Sequence, residues 1–291
     1  MTLEGKIAVV TGVTSDIGRA IALRLAAEGA AVAVTGNTPA KVDRIAKDLE
    51  CAGARFFAEA MDLTAPETVE QFFARVAERF GPTDILVNGA AWRIRSSFLE
   101  TTYADWRKTF AGCVDSYFYC SLAAARQMTP RKWGRIVHIG SIAGSVMMAP
   151  FAAYTAAKGA VHALAKAMAC DLAPYGITVN VVAPGVVESP YLRANVTTEA
   201  IGKRLERIPM GRLASVEDCA AAVAHLASAD MDYVTGQILY VDGVRRNAAD
   251  VNFCLLMACK LAIRQDAFLV QTQVSRIGPY EATGENSSGE F

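Results

Sequence analysis

Short runs of apolar residues alternate with stretches of helical period along most of this chain. Ile7-Ala-Val-Val10 is an uninterrupted apolar run that ends in Thr11-Gly12. After Gly18 the pattern passes to helical spacing through Ile21, Leu23, Leu25 and Ala26, which predicts strand, turn and helix. Further apolar runs predict strands at 31–34, 55–60, 85–87, 135–139 and 178–182. Between them helices are predicted over 39–49, from Thr64 onward, over 102–128 and around Tyr154. Thr64 and Glu67 have the spacing of a capping box opening its helix. Strands that are apolar throughout and alternate with helices imply a sheet buried on both faces. The expected fold is a single Rossmann-type, doubly wound α/β domain of about seven parallel strands, with its ligand site beyond their carboxyl ends.

Candidate chemistry centres on Tyr154-Thr-Ala-Ala-Lys158. The apolar positions Val161, Leu164, Ala165, Met168 and Leu172 continue at helical spacing, so the phenol and the ammonium lie one turn apart on one face. A positive charge about 4 Å from the phenol, at an effective dielectric near 20, is worth about 4 kcal/mol. That would lower a tyrosine pKa of about 10 by up to about 3 units. The tyrosinate so formed takes a proton from an alcohol, and the tyrosine gives one to a ketone. By itself the pair also fits an ordinary amphipathic helix face. The turn from Thr11 to Gly18 adds a second candidate, because glycine there lets the backbone approach a pyrophosphate resting on a helix N-terminus. Asp16 would repel such a group, so it is expected to turn away and cap the helix.

Composition narrows the alternatives. The 291 residues, 53% of them hydrophobic, favour one large domain with a sizeable core. Lys plus Arg and Asp plus Glu both number 29, and no basic run interleaved with aromatics occurs, so nucleic acid is not an expected partner. The 7 Cys show no C-x-x-C pair and the 3 His do not cluster with acids, which argues for a reduced, cytoplasmic setting and against a metal. The polar start Met-Thr-Leu-Glu-Gly-Lys is not a signal peptide, and no run reaches the length of a membrane span.

From Gly5 to Gly243 the ordered set of motifs resembles the short-chain dehydrogenase/reductase family, in the single-domain form that includes the 3-oxoacyl carrier-protein reductases. Thr11 to Gly18 matches the cofactor turn, Asp62-Leu63 the adenine contact and Asn88-Gly-Ala-Ala91 a variant of Asn-Asn-Ala-Gly. Gly-Ser141-Ile-Ala-Gly matches the catalytic serine, Tyr154 and Lys158 the catalytic pair, and Pro184 to Ser189 the loop closing on the nicotinamide. Pro209 to Leu213 and Val234 to Gly243 resemble the final segments. The resemblance implies Ser141, Tyr154 and Lys158 as catalytic residues. It implies Gly12, Thr14, Ser15, Ile17, Gly18, Asn37, Asp62, Leu63, Asn88, Ala90, Tyr154, Lys158, Pro184, Gly185 and Val187 as cofactor-binding residues. The expected activity is hydride transfer between a nicotinamide cofactor and a ketone or secondary alcohol, by a homo-oligomer, tetramer or dimer. A dinucleotide-binding sensor or scaffold with little turnover is the alternative.

Three departures from the family pattern matter. Cys113 stands where many members carry an Asn that opens the site to a relay water, and a thiol cannot replace an amide. At the end of the second strand, Gly36-Asn37-Thr38 has no acid to repel a 2′-phosphate, which favours NADP; the missing Arg keeps NAD open. Beyond Gly243 the resemblance stops, leaving residues 244–291 as an atypical extension with an apolar segment at 251–263 and a polar end at 281–291, expected to be partly disordered. Residues 190–207 are the expected substrate loop, mobile and closing over the ligand. Trp92, Arg93 and Arg95 are candidates for the pocket mouth, and His138 and His162 are read as core or groove residues.

Overall fold

The computed structural model describes residues 3–146 and 148–244. Its strands are β1 (Ile7–Thr11), β2 (Ala31–Gly36), β3 (Phe56–Ala60), β4 (Ile85–Asn88), β5 (Gly134–Ile139), β6 (Ile177–Pro184) and β7 (Ile238–Val241). They form one seven-stranded sheet in the order β3-β2-β1-β4-β5-β6-β7. Every pairing is parallel. The chain steps outward from β1 to β3, then returns past β1 to build the other half from β4. The crevice this reversal leaves at the carboxyl ends of β1 and β4 is where open α/β sheets hold ligands.

The helices are α1 (Asp16–Ala27), α2 (Pro39–Cys51), α3 (Pro66–Phe80), α4 (Tyr103–Phe110), α5 (Ser116–Met128), α6 (Ala152–Leu172), α7 (Pro190–Asn195), α8 (Thr198–Leu205) and α9 (Val216–Ala227). Successive strand residues point to opposite faces. Val10, Val32, Val34 and Val87 therefore pack on Ile21 and Leu25 of α1 and on Val223 and Ala224 of α9. Their neighbours Val9, Ala33 and Leu86 meet Phe72 and Val76 of α3, Cys120 and Ala124 of α5, and Ala165 of α6. Each Val, Leu, Ile or Phe among them contributes about 1.5–3 kcal/mol on burial. Strands β1, β2, β4, β5 and β6 are buried along their length, which is why they read as mainly apolar runs, with Arg135 and His138 in β5 and Thr178 and Asn180 in β6 among the buried polar exceptions. The edge strands β3 and β7 are partly exposed.

Two helix starts differ from expectation. Helix α3 begins at Pro66 with Ala65 at its N-cap and no side-chain cap, so the Thr64–Glu67 capping box does not form. Thr64 instead gives both its N–H and its hydroxyl to Asp62 Oδ1, at 2.9 and 2.8 Å. Pro66 at the first helical position leaves one fewer unpaired N–H and presets the helical φ, which favours a start there without a side-chain cap. The helix expected over 102–128 is broken into α4 and α5 by a π turn, Ala111–Asp115. The proposed substrate loop is largely helical: α7 and α8 close a small cluster of Leu192, Ile208 and Leu213. The extension expected at 244–291 lies, from residue 245 on, outside the described residues.

Candidate active site

The turn after β1 is held by contacts that exclude side chains. Gly12 has φ +72°, and a Cβ there would lie 2.4 Å from the backbone of Gly89 and Ala90. The turn is thereby seated against the end of β4. Ser15, extended at φ −91° and ψ 152°, caps α1 by accepting from the Gly18 N–H at 3.1 Å. This corrects the assignment of the cap to Asp16, which is the first residue inside the helix. A carboxylate in the first turn still favours the positive end of the helix dipole.

A cavity of about 670 Å³ opens along the carboxyl ends of the strands. Of the residues expected to hold a cofactor, Gly12, Thr14, Ser15, Asn37, Asp62, Leu63 and Ala90 line it. Trp92, expected at its mouth, lines it as well, and so does Lys108, which the sequence did not single out. The Lys108 ammonium lies 3.7 Å from the Trp92 ring centre. Asp62, expected at the adenine, borders the cavity, and its Oδ1 also anchors the turn before α3 by accepting from Thr64. Ile17 packs against the core, and Gly18 lies behind Gly12. The buried Asn88 side chain faces away from the cavity, donating to Ser121 Oγ at 3.0 Å and meeting His138 Nδ1 at 3.2 Å. Pro184 ends β6 and Gly185 and Val187 follow it, all outside the cavity lining, where Gly185 N–H donates to Val241 O.

Ser141, Tyr154 and Lys158 converge just beyond the carboxyl end of β5. Ser141 leaves the strand extended, accepts from Ala143 N–H at 3.1 Å and is in hydrogen-bonding reach of the Tyr154 phenol. Both Tyr154 and Lys158 are in α6, as their spacing predicts. The lysine, however, is fully buried and donates to Ile139 O at 2.6 Å and to Tyr117 Oη at 3.3 Å. Its ammonium is 5.8 Å from the Tyr154 ring centre. Burial pushes the Tyr154 phenol up to about 12; Cys113 adds to this, and the Ser141 bond and Arg93 oppose it. Loss of water is thus the largest influence on the phenol, and the Lys158 ammonium, expected to lower it, is committed to Ile139 O and Tyr117 Oη. Burial likewise lowers the Lys158 pKa.

The family described as Enoyl-(Acyl carrier protein) reductase matches residues 12–243, a span that contains both the glycine turn and the Ser-Tyr-Lys set. The chain belongs to the short-chain dehydrogenase/reductase family. A 3-oxoacyl-[acyl-carrier-protein] reductase of Salmonella typhimurium is 37% identical to it over 243 residues, which is 84% of this chain and 98% of that protein. A galactitol 2-dehydrogenase (L-tagatose-forming) of Cereibacter sphaeroides is 40% identical over 245 residues, 83% of this chain and 95% of that one. Among solved structures, a single-substitution variant of actinorhodin polyketide ketoreductase with NADPH superposes with TM-score 0.79 at 33% identity, covering 84% of this chain and 98% of its own.

In this short-chain dehydrogenase/reductase the atypical Cys113 is buried within the π turn, its sulfur accepting from Trp92 N–H at 3.3 Å and donating to Trp92 O at 3.4 Å. It thus braces the loop after β4, which borders the cavity. Around it lie groups that sequence spacing could not reveal. Tyr117 reaches back from α5 to donate to Ile139 O at 3.0 Å, and its ring is 5.3 Å from that of His138. Burial takes the His138 pKa down to about 3, with Lys158 adding to the effect, so the imidazole is neutral. Only knowledge of which strand α5 packs on could have found this cluster. Among the described residues no group of three or more His, Cys, Asp or Glu is placed to hold a metal, and no helix is long and apolar enough to cross a membrane.

Proposed function

We propose that this chain transfers a hydride between NADP(H) and a ketone or secondary alcohol, with Tyr154 as the proton donor in reduction and acceptor in oxidation. The observation that carries the reading is the convergence of Ser141, Tyr154 and Lys158 at the end of β5, on the same carboxyl edge of the sheet as the cavity, whose lining the three do not enter. Gly12, Thr14, Ser15 and the amino end of α1 would hold the pyrophosphate, Asp62 and Leu63 the adenine, and Ala90 the middle of the molecule. Asn88 supports this arrangement from behind, through α5 and β5. Pro184, Gly185 and Val187 would face the nicotinamide. When bound, the cofactor supplies or receives the hydride.

The side chains divide the remaining work. Ser141 donates to the substrate oxygen, where negative charge develops in reduction. Tyr154 protonates that oxygen as the new C–H bond forms, and takes the proton back in the reverse reaction. Lys158, positioned by Ile139 O, holds the nicotinamide ribose and supplies the positive charge that a tyrosinate needs. Bringing that ammonium nearer the phenol would reverse part of the burial effect on Tyr154.

The cofactor's phosphate is read at Asn37. Its Oδ1 accepts from Thr38 Oγ1 at 3.1 Å, which leaves the amide N–H groups to donate to a phosphate. Arg19 on α1 is paired with Asp48 at 2.8 Å. NADP is thus favoured by the lack of a carboxylate, and the NADPH-bound ketoreductase neighbour agrees in cofactor. The relatives named for 3-oxoacyl and sugar-alcohol substrates support a carbonyl/secondary-alcohol pair as the reacting group. We place the protein in the cytoplasm, in keeping with free thiols at all five described cysteines, as a homo-oligomer.

The test is nicotinamide absorbance during incubation with NADPH or NADH and a panel of ketones, sugars and acyl thioesters. Wild type should turn over a member of the panel, and Tyr154→Phe should lose about 10²- to 10⁴-fold while still binding NADPH. Tight cofactor binding with no turnover of any carbonyl would overturn the catalytic assignment and leave a binding protein.

A further inference from the structure

The catalytic lysine has a second phenol against it. Tyr117 is 1% exposed, enters the core directly after the π turn, and gives its proton to Ile139 O at 3.0 Å. With that proton committed, a lone pair of its oxygen faces Lys158 Nζ at 3.3 Å. The same Ile139 carbonyl accepts from Nζ at 2.6 Å. Lysine, phenol and carbonyl therefore close a triangle on the side of Lys158 away from solvent. We propose that Tyr117 is a positioning residue for Lys158: it fixes the ammonium and keeps it protonated in a dry site, and so acts on Tyr154 and the cofactor ribose through the lysine. The role rests on the functions assigned above to Lys158 and Tyr154.

The surroundings favour this reading. A buried ammonium needs acceptors, and among the described residues the Ile139 carbonyl and the Tyr117 hydroxyl supply them. The titratable and charged groups near it are Tyr154 and His162 on α6, His138 on β5, Cys113 in the π turn, Tyr117 on α5, and Arg93, whose charge acts on Tyr154. His138 and His162, with pKa values held down to about 3 and about 4, are uncharged near neutrality and offer Lys158 no anion. Cys113 uses its sulfur on both backbone groups of Trp92. The π turn contributes directly. Its extra residue per turn rotates everything that follows by about 100° relative to a continuous α-helix, and this rotation brings Tyr117 onto β5.

Tyr117→Phe keeps the ring and deletes one oxygen. Two measurements on the full chain test the proposal. The first is a double-mutant cycle of urea stability across wild type, Tyr117→Phe, Lys158→Met and the double variant, which needs no cofactor. Non-additive effects are expected, and strict additivity would overturn the contact. The second is NADPH affinity as a function of pH, read by cofactor fluorescence, beside the pH profile of alcohol oxidation. Tyr117→Phe should move the alkaline loss of affinity down by about one pH unit, and raise the acid limb of oxidation by a similar amount. Tyr117→Phe should have no effect on cofactor affinity in the Lys158→Met background. A variant that is less stable but has unmoved pH midpoints would reduce Tyr117 to a packing residue. A chain that binds neither nucleotide would sink the hydride-transfer reading, with the stability cycle still deciding the contact.

Discussion

A single amide, that of Asn37, stands where a carboxylate would turn the cofactor's phosphate away. Asn37→Asp places a negative charge at the rim of the cavity, and even in a watery dielectric each unit charge about 4 Å away costs about 1 kcal/mol. The ratio of kcat/KM for NADPH over NADH should fall by about tenfold or more, as steady-state kinetics with both nucleotides will show. His138 contributes to the loss of stability in acid. Its folded pKa of about 3 lies below the ordinary 6.5, so the unfolded chain takes up a proton first as pH falls. The stabilisation is whole above about pH 6.5 and is lost on the way down to about pH 3, at up to about 1.4 kcal/mol per unit. Urea titrations at neutral and acid pH should show a shallower loss for His138→Asn. Residue types and spacing singled out Ser141, Tyr154 and Lys158 in the sequence, and the structure brings the three together beyond β5. The Tyr154 pKa was not legible, because a helical i, i+4 spacing says nothing about whether the ammonium turns to the phenol or to Ile139 O.

At the scale of elements, the amino end of α1 and the π turn are the parts that sequence rules read least well. Asp16 looked like the cap, but the extended backbone one residue earlier lets Ser15 take the Gly18 N–H. Ser15→Ala should cost about 1 kcal/mol in urea denaturation and weaken NADPH binding, whereas Asp16→Asn should change stability by a few tenths. Residues 102–128 carry one continuous helical pattern, and nothing in Ala-Gly-Cys-Val-Asp announces a widened turn. Its register is set by what α4 and α5 pack against. Deleting Val114 should restore α-helical spacing, turn α5 by about 100° and part both Cys113 from Trp92 and Tyr117 from Ile139. Far-ultraviolet circular dichroism should stay helical while cofactor affinity falls at least about tenfold, a loss expected when supporting contacts move by a few ångströms.

For the whole molecule, alternating buried runs and amphipathic helices were enough to give a parallel doubly wound sheet, since burial of β1, β2 and β4 to β6 on both faces leaves little else such runs could form. Edge strand β7 was visible only through motif likeness, because its half-exposed residues carry no clear period. Phe118 and Leu122 are 47% and 40% exposed one turn apart on α5, an apolar stripe suited to a second copy of the chain. Light scattering should report an oligomer, and Phe118→Glu with Leu122→Glu should shift it toward the monomer with the fold retained. The Ile139 carbonyl, finally, moors both Tyr117 and Lys158 to the middle of the sheet, whereas α7 and α8 close over a small apolar cluster of their own. Hydrogen exchange should divide accordingly, with β5 amides opening only in global unfolding and the segment at 190–207 opening locally. On the proposed roles, proton transfer and substrate admission then belong to separate cooperative units. Substitutions between α7 and α8 should in that case retune which carbonyl compounds enter while the chemistry anchored on β5 is left undisturbed.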